Sequence, residues 1–192
     1  TKEQILYKDE IPAFTEITGS DVMHMRDVLR MSPGDTFTAC DSTGVEYTCA
    51  LEGFSEGKGI GRILSQKVGD TEPRTPVTLF QGIPKGDKMD LIIQKNVELG
   101  VTRIVPVIME RTVVKFSDPR DKSKKTERWN RISMEAAKQC GRLSVPVVHP
   151  PVPMKEALDL VPGEALRLVP YENEQELRLK AVLRGAKEPS AV

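Results

Sequence analysis

The stretch VTLFQGIPKGDKMDLIIQKNVELGVTRIVPVIM (77–109) holds the alternation on which the fold turns. Its first seven residues form an apolar run, the pattern of a strand covered on both faces. From Asp87 the period changes. Met89, Ile92, Ile93 and Val97 recur at helical spacing, with Asp87 placed to cap the start and Gly100 placed at the C-terminus. RIVPVIM (103–109) reads as a second strand. Strand, helix and strand in succession imply a parallel sheet with right-handed crossovers. The series continues with VPVVHP (145–150), MKEALDLV (154–161), a strand at ALRLVPY (165–171) and a helix at EQELRLKAVLRG (174–185). The expected class is therefore α/β.

Upstream of residue 77 the pattern is β-rich. Ser20 is placed to cap a short helix with apolar positions Val22, Met25, Val28 and Leu29, which SPGD (32–35) ends. TFTAC (36–40) and VEYTCAL (45–51) read as two strands joined by a turn, and GIGRILSQ (59–66) as a third. The polar, proline-bearing GDTEPRTP (69–76) then marks a change of architecture. The expected organisation is a β domain over residues 1–70, a linker at 71–76 and an α/β domain over 77–192.

The composition is that of a globular protein, with 39% hydrophobic and 29% charged residues and no run long enough for a membrane span. Cys40, Cys49 and Cys140 make an odd number without CxxC spacing, so neither a disulfide framework nor a metal site is expected, and a reducing cytosol is. The formal net charge is zero, so attraction to nucleic acid has to come from local clustering.

Such clustering occurs between residues 111 and 131. Arg111, Lys115, Arg120, Lys122, Lys124, Lys125, Arg128 and Arg131 face only Asp118, Asp121 and Glu127 there. Two readings are open, a phosphate-contacting basic loop leading into a helix and a mobile surface loop. The helix that follows, within RWNRISMEAAKQCGRL (128–143), carries two stripes. Trp129, Ile132, Ala136, Cys140 and Leu143 form the expected core line. Arg128, Arg131, Glu135, Gln139 and Arg142 form a second line about 100° away. That polar line is either a solvated edge or a site.

No nucleotide-loop or nucleophile signature appears. IPKGDK (83–88) places Lys85 at a strand-to-helix turn, where an anion can sit or where an ordinary loop can run. His24 and His149 are far apart in sequence, and a lone His149 before a proline pair reads as structural. Glu98 ends its helix against the dipole, so a basic partner such as Arg111 or Lys95 is expected beside it. VPYE (169–172) reads as the end of a strand, where ligands sit in open α/β sheets, which makes Tyr171 and Glu172 candidate cofactor contacts.

Three stretches, DVMHMRDVLRMSPGD (21–35), KNVELGVTRIVPVIMERTVV (95–114) and RWNRISMEAAKQCGRLSVPVV (128–148), resemble the RsmE family of small-subunit rRNA uridine N3-methyltransferases in order and spacing. The resemblance implies a PUA-like β-barrel followed by a SPOUT-type α/β domain that binds S-adenosylmethionine in a trefoil knot. It implies methylation of uracil N3 in 16S rRNA within the small ribosomal subunit, and a homodimer when full length. Glu135, Gln139 and Arg142 match the family's E-A-A-x-Q-x-x-R helix beside the active site. They are the candidate catalytic residues, with Arg142 and Gln139 gripping the uridine or its phosphate and Glu135 orienting them or relaying a proton. Glu98, paired with Arg111, supports the wall of the site. The candidate RNA contacts are Arg26, Arg30, Lys85, Arg111, Lys115, Lys122, Lys124, Lys125, Arg128 and Arg131.

The family's GPEGG loop and its following helix do not occur in these 192 residues, and the chain opens on Thr1. A trimmed chain without the knot segment is therefore expected, and with it no methyl transfer by this stretch alone. A non-catalytic RNA-binding protein using the barrel and the basic segment 115–131 is the alternative. It would ignore S-adenosylmethionine.

Overall fold

Alternation of apolar and polar residues in the first third of the chain becomes a curled antiparallel sheet. The computed structural model describes residues 4–5, 14–41, 44–69, 71–112, 116, 118–161, 163–176 and 178–186. Strand β1 (Gln4–Ile5) and β2 (Phe14–Ile17) precede a short helix α1 (Ser20–Met23), which runs on as a π-helical turn over His24–Val28. Then come β3 (Thr36–Asp41), β4 (Val45–Ser55) and β5 (Lys58–Val68). The sheet order is β1-β3-β4-β5-β2, antiparallel except where β1 runs parallel to β3. Glu56 and Gly57 both take positive φ and make the two-residue turn between β4 and β5, whose twist matches that of the strands. Ile17, Phe37, Tyr47, Cys49 and Leu51 from the strands, with Val22 and Met25 from the helical turn, form one buried core. At Gly61 a Cβ would lie 2.5 Å from the Phe37 ring, so this position has to be glycine for the ring to seat.

The α1 region differs from the sequence expectation at its edges. Gly19 is the cap and Ser20 already opens the helix. Val28 and Leu29 are exposed, because the π-helical turn rotates them off the line that Val22 and Met25 bury.

The second architecture begins at β6 (Thr78–Gly82) and continues through α2 (Lys88–Glu98), β7 (Arg103–Ile108), α3 (Pro119–Cys140), β8 (Val147–Val148), β9 (Val152–Pro153), α4 (Met154–Asp159) and α5 (Leu179–Gly185). All its strand pairs are parallel, in the order β6-β7-β8, with β9 also on β7. Central β7 is buried from Ile104 to Val107, as expected for a strand covered on both faces. Pro150 and Pro151 bring no N–H donors, and they separate β8 from β9 along one side of β7. Gly100 ends α2 at φ +99°, and a Cβ there would meet Pro73 at 2.7 Å. The Asn130 amide bonds both backbone groups of Val148, at 2.8 and 3.0 Å, and the Ser133 hydroxyl donates to the Pro146 carbonyl at 2.6 Å. These bonds tie α3 to β8.

Two elements depart from the expectation. The basic segment is not a loop: from Pro119 onward it is the first part of the 22-residue helix α3. Asp118 caps it, accepting from the Arg120 N–H at 2.8 Å, and Pro119 fills the first helical position, where its missing N–H costs nothing. The expected strand at 165–171 is irregular, since residues 166–170 pair with no strand among the described residues.

The chain divides into two compact units, residues 1–72 with 134–145, and residues 73–133 with 146–192. Among the described residues no helix is long and apolar enough to cross a membrane, and no group of three His, Cys, Asp or Glu residues could hold a metal ion.

Candidate functional site

The end of α3 shows what its polar stripe does in the first unit. Arg142 leaves the helix just after Gly141 and is 7% exposed. Its guanidinium donates to Glu72 from Nη2 at 2.5 Å and from Nε at 3.2 Å. The same carboxylate accepts from the Leu143 N–H at 2.9 Å, the Ser144 N–H at 3.1 Å and the Ser144 hydroxyl at 2.8 Å. Burial pushes the Glu72 carboxyl up. The Arg142 guanidinium and the two Ser144 donors outweigh it and hold the group down at about 2. Glu72, in a segment that reads as a linker, thus caps the end of α3 and engages Arg142. Its position three residues after Gly69 in a proline-bearing stretch offered no periodic signal. Cys140 is exposed, although its stripe was expected to face the core, while Ser133 and Ala137 beside that stripe are buried. Trp129, Ala136 and Leu143 of the expected line are buried and Ile132 is half-buried, so the line holds except at Cys140, where the helix ends.

Glu135 and Gln139 stay exposed and line a cleft with Ser20, His24 and Leu29 of the α1 region. Asp21 and Lys138 also line it and pair with each other at 2.6 Å. The π-helical turn sets one side of the cleft: Met25 is its buried anchor, and the backbone carbonyl of His24 accepts the Leu29 N–H at 2.9 Å. Histidine spacing in the sequence carried no hint that His24 belongs here. On the same turn Arg26 pairs with Asp27 at 2.7 Å, both exposed, and Arg30 is exposed in the left-handed region.

In the second unit the basic candidates separate by what they touch. Lys85 in the turn after β6, Arg111, Lys124 and Arg131 are exposed, and Lys122 and Lys125 are half-buried along α3. Arg128 is held by Asp90, with Asp87 at 3.9 Å. Lys115 lies outside the described residues. Glu98 takes its partners from its own helix, Lys95 at 2.8 Å and Gln94 at 3.1 Å, so the Arg111 pairing is replaced by the Lys95 one. His149 is half-buried. Burial and then nearby Arg103 push its imidazole below the ordinary range, while its backbone N–H bonds Ile104 at 2.9 Å.

A second cleft opens where β6 and β7 end, the edge at which open α/β sheets take ligands. This cavity of about 370 Å³ is lined by Phe80 and Gly82 of β6, Val107 and Met109 from β7 and its end, Met154 and Leu158 of α4, and the segment 165–170. The backbone N–H groups of Leu166, Arg167, Leu168 and Val169 donate to nothing among the described residues. Tyr171 and Glu172 follow directly on this lining and are exposed, in a turn rather than at a strand end.

Residues 17–64 match the RNA methyltransferase PUA domain, and residues 71–192 match the RNA methyltransferase domain. Two relatives carry the name ribosomal RNA small subunit methyltransferase E. The one from Bacillus subtilis is 40% identical over 77% of this chain and 56% of its own length. The one from Synechocystis is 31% identical over 95% of this chain and 58% of its own. The chain belongs to the RsmE family. A solved RsmE from Neisseria gonorrhoeae, bound to S-adenosyl methionine, superimposes with a TM-score of 0.77 at 34% identity, covering 87% of this chain and 68% of that one. RsmE relatives are longer than the present chain, which spans a little over half the length of the two curated ones. The fold is that of the family, a PUA-type β unit followed by a SPOUT-type parallel α/β unit.

Proposed function

We propose that the whole protein transfers a methyl group from S-adenosylmethionine to N3 of a uracil in 16S rRNA, within the small ribosomal subunit, as a cytoplasmic homodimer. The observation that carries this reading is the apolar cleft at the ends of β6 and β7. S-adenosylmethionine brings an electrophilic methyl group on a positively charged sulfur, which no side chain supplies. The residues present fit it. Phe80, Met109 and Leu158 offer apolar walls for the adenosine, and the N–H groups of Leu166–Val169, which donate to nothing among the described residues, offer donors for its polar edge.

Exposed Lys85, Arg111, Lys124 and Arg131 supply phosphate contacts, which position an RNA without reading its bases. Glu135 and Gln139 belong to an RNA-facing cleft in the first unit. Arg142 holds Glu72 and serves as a strut, so gripping the uridine passes out of its role in this reading. The test is methyl transfer by the whole protein from labelled S-adenosylmethionine to isolated small subunits, followed by nucleoside mass spectrometry. N3-methyluridine is the expected product, and label on another atom overturns the reading. Binding to rRNA with no response to S-adenosylmethionine would make this an RNA-binding protein instead.

A further inference from the structure

The cleft of Glu135 and Gln139 has the wrong charge for a phosphate. Asp21 and Lys138 in its wall neutralise each other at 2.6 Å. The exposed carboxylate of Glu135 is left without an ionic partner among the described residues. On a surface that meets a polyanion, such a group repels the backbone unless it accepts hydrogen bonds from something that donates. We infer that this cleft receives an unpaired guanine of the RNA, with the two oxygens of Glu135 accepting from N1–H and N2–H of its Watson–Crick edge.

Guanine is the base whose edge offers two adjacent donors to a carboxylate. Uracil offers one N–H between two carbonyl oxygens, which a carboxylate repels, and adenine and cytosine offer a single amino group. Gln139 lies one helical turn beyond Glu135 on the same exposed edge, and its amide can donate to guanine O6. Across the cleft His24 offers a flat ring and Leu29 an apolar side chain for the base to stack on. The π-helical turn that presents them is an uncommon geometry, enriched where helices carry function.

This inference rests on the RNA reading above, and one experiment separates the two. The full chain is titrated by fluorescence anisotropy with short single-stranded RNAs, all-uridine except for one central guanosine, inosine or adenosine. The guanosine oligonucleotide is expected to bind about tenfold tighter than the adenosine one, the scale of one good bidentate base contact. Inosine, which lacks the N2 amino group, should lose a large part of that preference. Glu135→Gln, an exposed and nearly isosteric change checked by its melting curve, should bring the guanosine and adenosine oligonucleotides to one Kd. Equal affinity for all the oligonucleotides, or a guanosine preference that survives Glu135→Gln, overturns the guanine site while leaving the RNA reading in place. Failure to bind any of them overturns both.

Discussion

The guanidinium of Arg142 lies against the carboxylate of Glu72 through two nitrogens, and that carboxylate also accepts from the backbone of Leu143 and Ser144. One acidic residue thus satisfies the end of α3 and a buried arginine together. Removing one partner of a mostly buried pair strands the other, which is why such losses cost more than the net worth of the pair. Arg142→Ala is expected to destabilise the protein by about 2 kcal/mol, lowering Tm by several degrees. A melting midpoint within one degree of the parent would show that the pair holds nothing.

The same carboxyl sets a pH dependence. Glu72 is held at about 2 in the folded protein, below its usual value of 4.5. A depressed folded pKa means that the unfolded chain takes up the proton first as pH falls. The stabilisation is therefore complete above about pH 4.5 and is lost as pH drops toward 2, amounting to at most about 3 kcal/mol. Glu72→Gln has no such proton to take up. Its stability should start lower at pH 7 and fall less steeply between pH 4.5 and 2.5, measured by urea unfolding. Parallel curves for the two proteins would assign the acid sensitivity to other groups.

Gly69 and Leu143 make a packing prediction in the same unit. A Cβ on Gly69 would sit 1.8 Å from Leu143 Cδ1 and 3.0 Å from its Cγ, so the whole side chain has to move. Leu143 is 1% exposed, so a shift has to displace it within the packed core or into the cavity it lines with Cys40 and Ala137. Gly69→Ala should cost about 1–3 kcal/mol through overpacking, and Leu143→Ala about 2–5 through the cavity it leaves. The double variant should cost clearly less than the sum, since each change relieves the other. Additive losses in a thermal denaturation series would refute the contact.

The parallel unit was legible because its strands are covered and its α2 helix buries Met89, Ile93 and Val97 at helical spacing and ends before Gly100, although the Asp87 side chain makes no capping bond at its start. The strand expected at 165–171 was not formed, because an apolar run becomes a strand only where a neighbour takes its hydrogen bonds. The basic segment was misread because Lys and Arg at 120–128 hide a helix whose only local signal is the Asp118-Pro119 start. The two stripes of α3 were separated correctly except at its C-terminal end, where Cys140 is exposed and Arg142 is buried. Ser133 is buried because its hydroxyl bonds Pro146, and Arg142 because it meets Glu72, contacts that lie 13 and 70 residues away in sequence. No periodicity carries partners at that distance.

The placement of the last turn of α3 can be checked through its cysteine. Cys140 is exposed, whereas Cys40 and Cys49 are buried, and burial pushes the Cys49 thiol up to about 11. Reactivity follows thiolate and access together. In the folded protein Ellman's reagent should titrate one thiol rapidly, and Cys140→Ala should abolish that phase. The same variant should shift stability by less than about 0.5 kcal/mol, as surface changes do. Slow reaction of all three thiols would return Cys140 to the core.

The last expectation divides the basic residues of α3 by function. Lys124 and Arg131 are exposed on the helix, while Arg128 is engaged by Asp90. An RNA-binding face releases counterions in proportion to the phosphates it meets, so the slope of log K against log salt counts contacts, at about 0.9 per phosphate on a duplex and 0.7 on a single strand. Lys124→Ala with Arg131→Ala should flatten that slope by about 1.4 to 1.8 if both side chains touch phosphate. Arg128→Ala frees Asp90, which adds an uncompensated negative charge near the helix without removing a contact. It should weaken binding modestly at low salt and leave the slope almost unchanged, with a small loss of stability from the broken pair. The three proteins need titration against one RNA at four salt concentrations between 50 and 200 mM. If Arg128→Ala flattens the slope as much as the double variant does, the ion pair opens on binding and Arg128 belongs to the RNA face after all.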